Sequence, residues 1–197
     1  MSPSTTGTKT LPDNHLPRPK RYITTHNQDA AATFHELEPE LPWEDIVGAK
    51  GGLAEDRFSL AYATNQVPVQ LSSDKDVETY QQYLEKKPGI TIRGGTVLRY
   101  VDIAPGNTSP MHRTVSLDYG VVLEGQVEAI MDSGESRLLN RGDIVVQRAT
   151  NHAWRNASKT EWARMLYVLQ EAQPVTLPDG STLGEDYGSM KGVRASS

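Results

Sequence analysis

Apolar side chains recur at Val77, Tyr80, Tyr83 and Leu84, with acidic residues ahead of them, Lys86-Lys87 behind and Pro88-Gly89 as a stop. This stripe, with its charge polarity, predicts a helix over 74–87. From Gly95 the pattern shortens to β-branched runs: Thr96 to Ile103, Asp118 to Leu123, Gln126 to Met131, Asp143 to Val146 and Trp162 to Leu169. Turn sequences at Pro105-Gly106-Asn107, Glu124-Gly125 and Asp132-Ser133-Gly134 separate them. Short strands at this spacing predict an antiparallel sandwich or barrel. Ahead of the helix the signal is weaker. Arg21 to Thr25 reads as a short β-prone run, whereas 27–57, with its Pro, Glu, Asp and the Gly51-Gly52 pair, reads as loops. Residues 1–20 carry Ser, Thr, Pro and Lys without apolar periodicity and are expected to form a loosely attached arm. The expected organisation is therefore that arm, an extension over 21–89 with an edge strand and the helix, a β core over 90–172, and a surface-packed tail over 173–197.

Composition narrows the classes of function. A chain of 197 residues is the length of one domain, and no repeat of about 20 to 50 residues points to a solenoid or propeller. Lys and Arg number 20 against 25 Asp and Glu, a net charge of -5 that is the wrong sign for a phosphate-neutralising nucleic-acid binder. There is no cysteine, so thiol nucleophiles, disulfides and cysteine zinc sites are excluded, and any metal must rest on His, Asp or Glu. The polar N-terminus lacks the apolar core of a secretory signal, and no run reaches the ~18 apolar residues of a membrane span. A cytoplasmic protein with neither nucleic acid nor membrane as partner is expected.

Two segments of the β region carry the chemistry. In the first, Gly106 is followed after five residues by His112-Arg113-Thr114, after three more by Asp118, and six residues on by Gly125. In the second, Gly142-Asp143 leads through Arg148-Ala149-Thr150-Asn151 to His152-Ala153-Trp154-Arg155-Asn156. Together they resemble the paired motifs of the cupin family. The spacing of the first matches throughout, with Thr114 where a second histidine is usual and Asp118 where glutamate is usual. The second keeps the His-x-x-x-Asn ending but has a turn one residue shorter than the family's and no Pro-x-Gly. The resemblance covers about residues 90 to 172. It implies an all-β fold, a cupin-like jelly-roll β-barrel, here with an irregular N-terminal extension and one or two short helices. The run at residues 112–120 and the long extension look like the small single-domain cupins of secondary-metabolite gene clusters, particularly of filamentous fungi.

Alternation along strands places His112 with Thr114, Asp118 with Gly120 and Val122, and His152 with Trp154 and Asn156 on common faces. The inferred pocket holds His112, Thr114, Asp118, His152 and Trp154, with Gly120 leaving volume beside Asp118. Two chemistries stay open. The resemblance implies a divalent metal, Fe, Mn, Ni or Zn, and His112, Asp118 and His152 have the composition of the two-His-one-carboxylate triad of non-haem oxygenases. Without a metal, the same three residues suit general acid-base catalysis of dehydration, decarboxylation, isomerisation or cyclisation. The acid-base lyase or isomerase is the leading reading, the metal-dependent dioxygenase the first alternative, and a non-catalytic small-molecule binder the second.

Around this centre, Trp154 and Tyr100 are candidate aromatic walls for a flat substrate. Arg99 and Arg164 are candidates for recognising a carboxylate or phenolate. His26 is a possible third histidine, on a segment expected to add a strand at the barrel edge. The expected partner is a small molecule, aromatic or polyketide-like, and the resemblance implies a homodimer, the Arg21 to Thr25 run being available to cover an open strand edge.

Overall fold

The computed structural model describes residues 12–47, 54–190 and 196. The part of the expected arm that falls on 1–11, and the Gly51-Gly52 pair, lie outside the described residues. The strands are, in chain order, β1 (Thr24–His26), β2 (Ala32–Phe34), β3 (Glu44–Val47), β4 (Ala54–Ala63), β5 (Thr96–Ile103), β6 (Ser116–Glu124), β7 (Val127–Met131), β8 (Ser136–Leu139), β9 (Ile144–Arg148), β10 (His152–Asn156), β11 (Ala163–Glu171), β12 (Val175–Thr176) and β13 (Thr182–Leu183). One helix, α1 (Lys75–Glu85), follows a single 3-10 turn at Ser72–Asp74.

Two sheets form the body: a six-stranded one ordered β3-β4-β5-β11-β6-β9 and a three-stranded one ordered β10-β7-β8. All their pairings are antiparallel. Alternation decides what each strand buries. Along β6, Ser116, Asp118, Gly120 and Val122 are buried, with Leu117, Tyr119 and Val121 between them more exposed. The inner residues Val97, Ile103, Val122, Met165, Tyr167 and Leu169 of the large sheet meet Val127, Ala129 and Trp154 of the small one in a single core. An all-β jelly-roll arrangement of two facing sheets is thus the fold. No helix among the described residues is long and apolar enough to cross a membrane.

Over β5 and β11 the outer face of the large sheet is covered too, which the sequence did not announce, whereas Tyr119 of β6 and Ile144 and Val146 of β9 are exposed. Arg164 on β11 and Asp102 on β5 are cross-strand partners and form a buried bidentate ion pair, with N to O distances of 2.6 and 2.8 Å. Asn14 donates to the same carboxylate at 2.7 Å, Arg164 donates to the Pro17 carbonyl, and the Trp162 indole donates to the Pro12 carbonyl at 2.9 Å. Trp43 carries the guanidinium groups of Arg18 and Arg164 over its ring, 5.1 and 4.9 Å from the centroid. Residues 12–20 are therefore pinned by charge-assisted and aromatic contacts, where a loose arm was expected, because a buried ion pair leaves lone pairs and N–H groups that need partners.

Two further differences have physical causes. The Arg21 to Thr25 run does not pair with the barrel edge: β1 forms a hairpin with β2, Thr24 opposite Phe34 and His26 opposite Ala32. The strand β4, within and beyond the region read as loops, holds Ser59, Leu60, Ala61 and Ala63 buried on both faces, with no alternation to betray it. Tyr80 of α1 donates to the Leu60 carbonyl at 2.9 Å and lies 4.8 Å from Tyr62, so the helix closes the β4 end of the core.

Candidate active site

The two motif histidines are brought together by backbone pairing. Residues 107–113 run alongside β10: Ser109 N–H donates to the Trp154 carbonyl at 2.8 Å, and Asn156 N–H to the Asn107 carbonyl at 2.9 Å. His112 and His152 exchange both N–H to carbonyl bonds, each at 2.9 Å. Directly opposed antiparallel residues present their side chains on one face. Their imidazole rings accordingly stand 4.3 Å apart. The far edge of the His112 segment is held by the tail, where Arg113 and Asp186 exchange backbone bonds of 2.6 and 2.9 Å and Arg113 Nε donates to the Gly184 carbonyl at 2.8 Å. Behind the pair, Trp154 meets the His152 ring edge-on at 5.2 Å and Tyr167 at 5.6 Å.

Asp118 faces the same interior from the large sheet, with Leu169 and Gln147 as cross-strand neighbours. Its Oδ1 is buried and has no hydrogen-bond partner. Burial pushes the carboxyl up to about 6, against the opposing pull of the Ser116 hydroxyl, the Arg99 charge and the Thr114 hydroxyl. Thr114 itself accepts from the Ser116 hydroxyl at 2.7 Å. Arg99 lies over the Phe58 ring at 5.1 Å, donates to the Gly89 carbonyl at 3.3 Å and keeps an unpartnered Nε. Its guanidinium is driven down to about 10 by burial, with Glu44 and Asp118 resisting.

Both histidines are held uncharged at neutral pH. Burial lowers His112, partly countered by the Pro110 carbonyl, and lowers His152 to about 3, with repulsion from His112 adding to it. The protonation sites are also legible for His112. Its Nδ1 lies 2.8 Å from the Pro110 carbonyl, which can only accept, so Nδ1 carries the hydrogen and Nε2 offers a lone pair. The arrangement thus combines a basic imidazole nitrogen, a second neutral imidazole and a buried carboxyl that titrates near neutrality, the ingredients of proton transfer.

Other expected residues fall differently. Thr114 and Trp154 belong to this interior, both nearly fully buried. The volume expected beside Gly120 is filled: a Cβ there would meet the Tyr167 ring at 3.1 Å and Val145 at 2.9 Å. Tyr100 points to the opposite face of its sheet, 6.3 Å from Trp43, and Arg164 pairs with Asp102 on that face, so neither lines the site. His26 is exposed on the β1–β2 hairpin. The residues also fail the test for a three-ligand metal centre. Among the described residues no three of His, Asp and Glu are gathered closely enough to hold an ion, and the Asp118 carboxyl lies instead with Arg99, Thr114 and Ser116. Gln147, which sequence reasoning passed over, has its amide nitrogen 2.5 Å from His152 Nδ1 and sits beside Asp118. Nothing in the sequence marks it; the structure shows it as the one buried residue of β9, five residues before His152.

A model of the Cupin domain matches residues 99–169, from β5 to β11, enclosing both motif segments. Full-length relatives extend the match: the chain is 48% identical to "Phomopsin biosynthesis cluster protein C'" of Diaporthe leptostromiformis over 86% of each chain. The chain belongs to the cupin family. This cupin is also 44% identical to "Oryzines biosynthesis cluster protein J" of Aspergillus oryzae, over 92% of this chain and 98% of that one. It is 38% identical to "Cupin-domain-containing oxidoreductase virC" of Hypocrea virens, over 86% and 84%. Two of these relatives are named for biosynthesis clusters and the third as a cupin-domain oxidoreductase.

Proposed function

We propose that this cupin is a small-molecule tailoring enzyme of secondary metabolism, acting as an acid-base lyase or isomerase on an aromatic or polyketide-like intermediate. The observation that carries the proposal is the apposition, 4.3 Å apart, of two uncharged imidazoles in an interior that also holds a buried carboxyl titrating near 6. His112 Nε2 takes a proton from carbon next to a carbonyl, and the C–H electron pair moves into the carbonyl to give an enolate. In a dehydration the pair then returns to expel a hydroxyl, which leaves as water with a proton from Asp118 or from protonated His112. In an isomerisation the proton goes back to a different carbon. Arg99, with its unpartnered Nε, is placed to attract an anionic oxygen of the substrate. The names of the relatives' biosynthesis clusters support the tailoring role.

The name of the Hypocrea virens relative favours a second reading, an oxidoreductase. Product mass separates the two. When the intermediate that accumulates in a gene-deletion strain is incubated with the purified protein under labelled oxygen, the proposal expects a product that has lost water or carbon dioxide, or kept its mass. A product that has gained labelled oxygen or lost a hydrogen pair overturns the acid-base reading.

A further inference from the structure

The polar triangle behind His152 favours one nitrogen of that ring over the other as the site of its hydrogen. His152 Nδ1 lies 3.0 Å from the Thr150 carbonyl and 2.5 Å from the Gln147 amide nitrogen, and that nitrogen is itself 2.8 Å from the same carbonyl. A carbonyl only accepts, and the amide nitrogen has two hydrogens and no acceptor capacity. With the hydrogen of His152 on Nδ1, two donors would be pressed together at 2.5 Å. With the amide turned over, its oxygen would stand against the Thr150 carbonyl, acceptor on acceptor. A third arrangement has Gln147 give one hydrogen to Thr150 and the other to His152 Nδ1, which leaves the ring hydrogen of His152 on Nε2; the like pair it leaves, the Nδ1 lone pair and the Thr150 carbonyl, is the most widely spaced of the three, at 3.0 Å. Gln147 is 3% exposed, so water does not offer an easy substitute for these bonds.

We propose that Gln147 locks the two facing imidazoles into a complementary pair, a lone pair on His112 Nε2 and an N–H on His152 Nε2, matched to an enolisable carbonyl compound and mismatched to a metal ion. A metal would need lone pairs on both rings, and the lock supplies one. A carbonyl substrate needs both kinds of group: a base for the hydrogen on the carbon next to the carbonyl, and a donor for the oxygen on which charge then gathers. The substrate half of this proposal rests on the acid-base function proposed above, while the tautomer half stands on the hydrogen-bond geometry alone. Gln147 is a positioning residue in this scheme, acting through His152.

The test is nitrogen NMR on protein labelled at histidine nitrogens, for the wild type and Gln147→Glu, together with titration by Zn2+. The wild type is expected to show His152 protonated at Nε2 and His112 at Nδ1. In Gln147→Glu the carboxylate can only accept, so the His152 hydrogen moves to Nδ1. A second lone pair then faces His112, and Zn2+ binds ~10-fold or more tightly than to the wild type. Turnover is expected to fall about 10- to 100-fold, in kcat more than in KM, the size expected for an orienting partner. A wild-type His152 protonated at Nδ1 overturns the proposal, as does a folded Gln147→Glu with unchanged tautomers and Zn2+ affinity. If Gln147→Glu does not fold, the wild-type spectrum alone decides. The expected tautomers with full turnover in His112→Ala would refute the acid-base function and leave the lock standing.

Discussion

Turnover by the His112→Ala variant is expected to be about 100-fold or more below that of the wild type, with the fold intact. His112 Nε2 is the basic nitrogen of the pair, because Nδ1 is committed to the Pro110 carbonyl. No neighbour replaces it: His152 turns its own Nδ1 toward Thr150 and Gln147, and the Asp118 carboxyl is placed with Arg99 on the facing sheet. The structural cost of the change is small. His112 is held by main-chain bonds to His152, and its neighbour Arg113 by main-chain bonds to Asp186; alanine keeps these, and the imidazole itself is only partly buried. Steady-state kinetics on the accumulated intermediate, with circular dichroism on the same sample, check both halves of this expectation. The same truncation at His152 is less clean, since it would strand the buried amide of Gln147.

Asp118→Asn is expected to stabilise the protein at neutral pH while damaging it as a catalyst. The carboxyl is raised in the folded state, from its usual 3.8 to about 6, because burial penalises its charge. Between those two values the folded state holds a proton that the unfolded chain releases, so stability falls as pH rises through this window. A shift of about two pKa units, at about 1.4 kcal/mol each, makes the full penalty roughly 3 kcal/mol above pH 6. Asparagine carries no charge and escapes it. Thermal unfolding near pH 4 should therefore find the two proteins alike, and near pH 7.5 should find the variant more stable. The pH profile of kcat/KM gives the second readout: the wild type should show a limb near 6 that Asp118→Asn lacks. Equal stabilities across the window would mean that the carboxyl is not buried as described.

A buried carboxyl that is costly to the fold and unpartnered at Oδ1 makes Asp118 a candidate for a functional role. The same trade is absent from the Arg164–Asp102 pair on the outer face, where each charge is met by the other and the surrounding acceptors and donors come from residues 14 and 17.

The placement of much of the candidate site was legible in the sequence, for identifiable reasons. The spacing from Gly106 to Gly125 located His112 and Asp118, and strand alternation placed Asp118 on the buried face with Gly120 and Val122, where the structure has them. The strand over Thr96 to Ile103 and the helix near Asp74 to Lys87 were marked by apolar period and by turn residues. Period, however, says nothing about what lies across a gap. The volume left by Gly120 is taken by Tyr167, a residue 47 positions further along on a neighbouring strand, so a glycine that looked like space is a packing contact. Parity also assigns residues to one of two faces without saying which face is the interior. Tyr100 and Arg164 were therefore drawn toward the site, although each lies on the outer side under Trp43. Gln147 went unnoticed because an amide in a strand has no motif, and its significance comes from its contacts with His152 and Thr150.

The central claim is that the facing imidazoles move protons without help from a metal or from oxygen. The measurement that tests it most directly is turnover of the accumulated intermediate by chelator-treated protein under anaerobic conditions, with metal content determined on the same sample. Acid-base catalysis predicts turnover undiminished at metal levels far below one equivalent, and lost in His112→Ala under identical conditions. Turnover that stops on chelation or on removal of oxygen, and returns when Fe2+ and oxygen are restored, would contradict it.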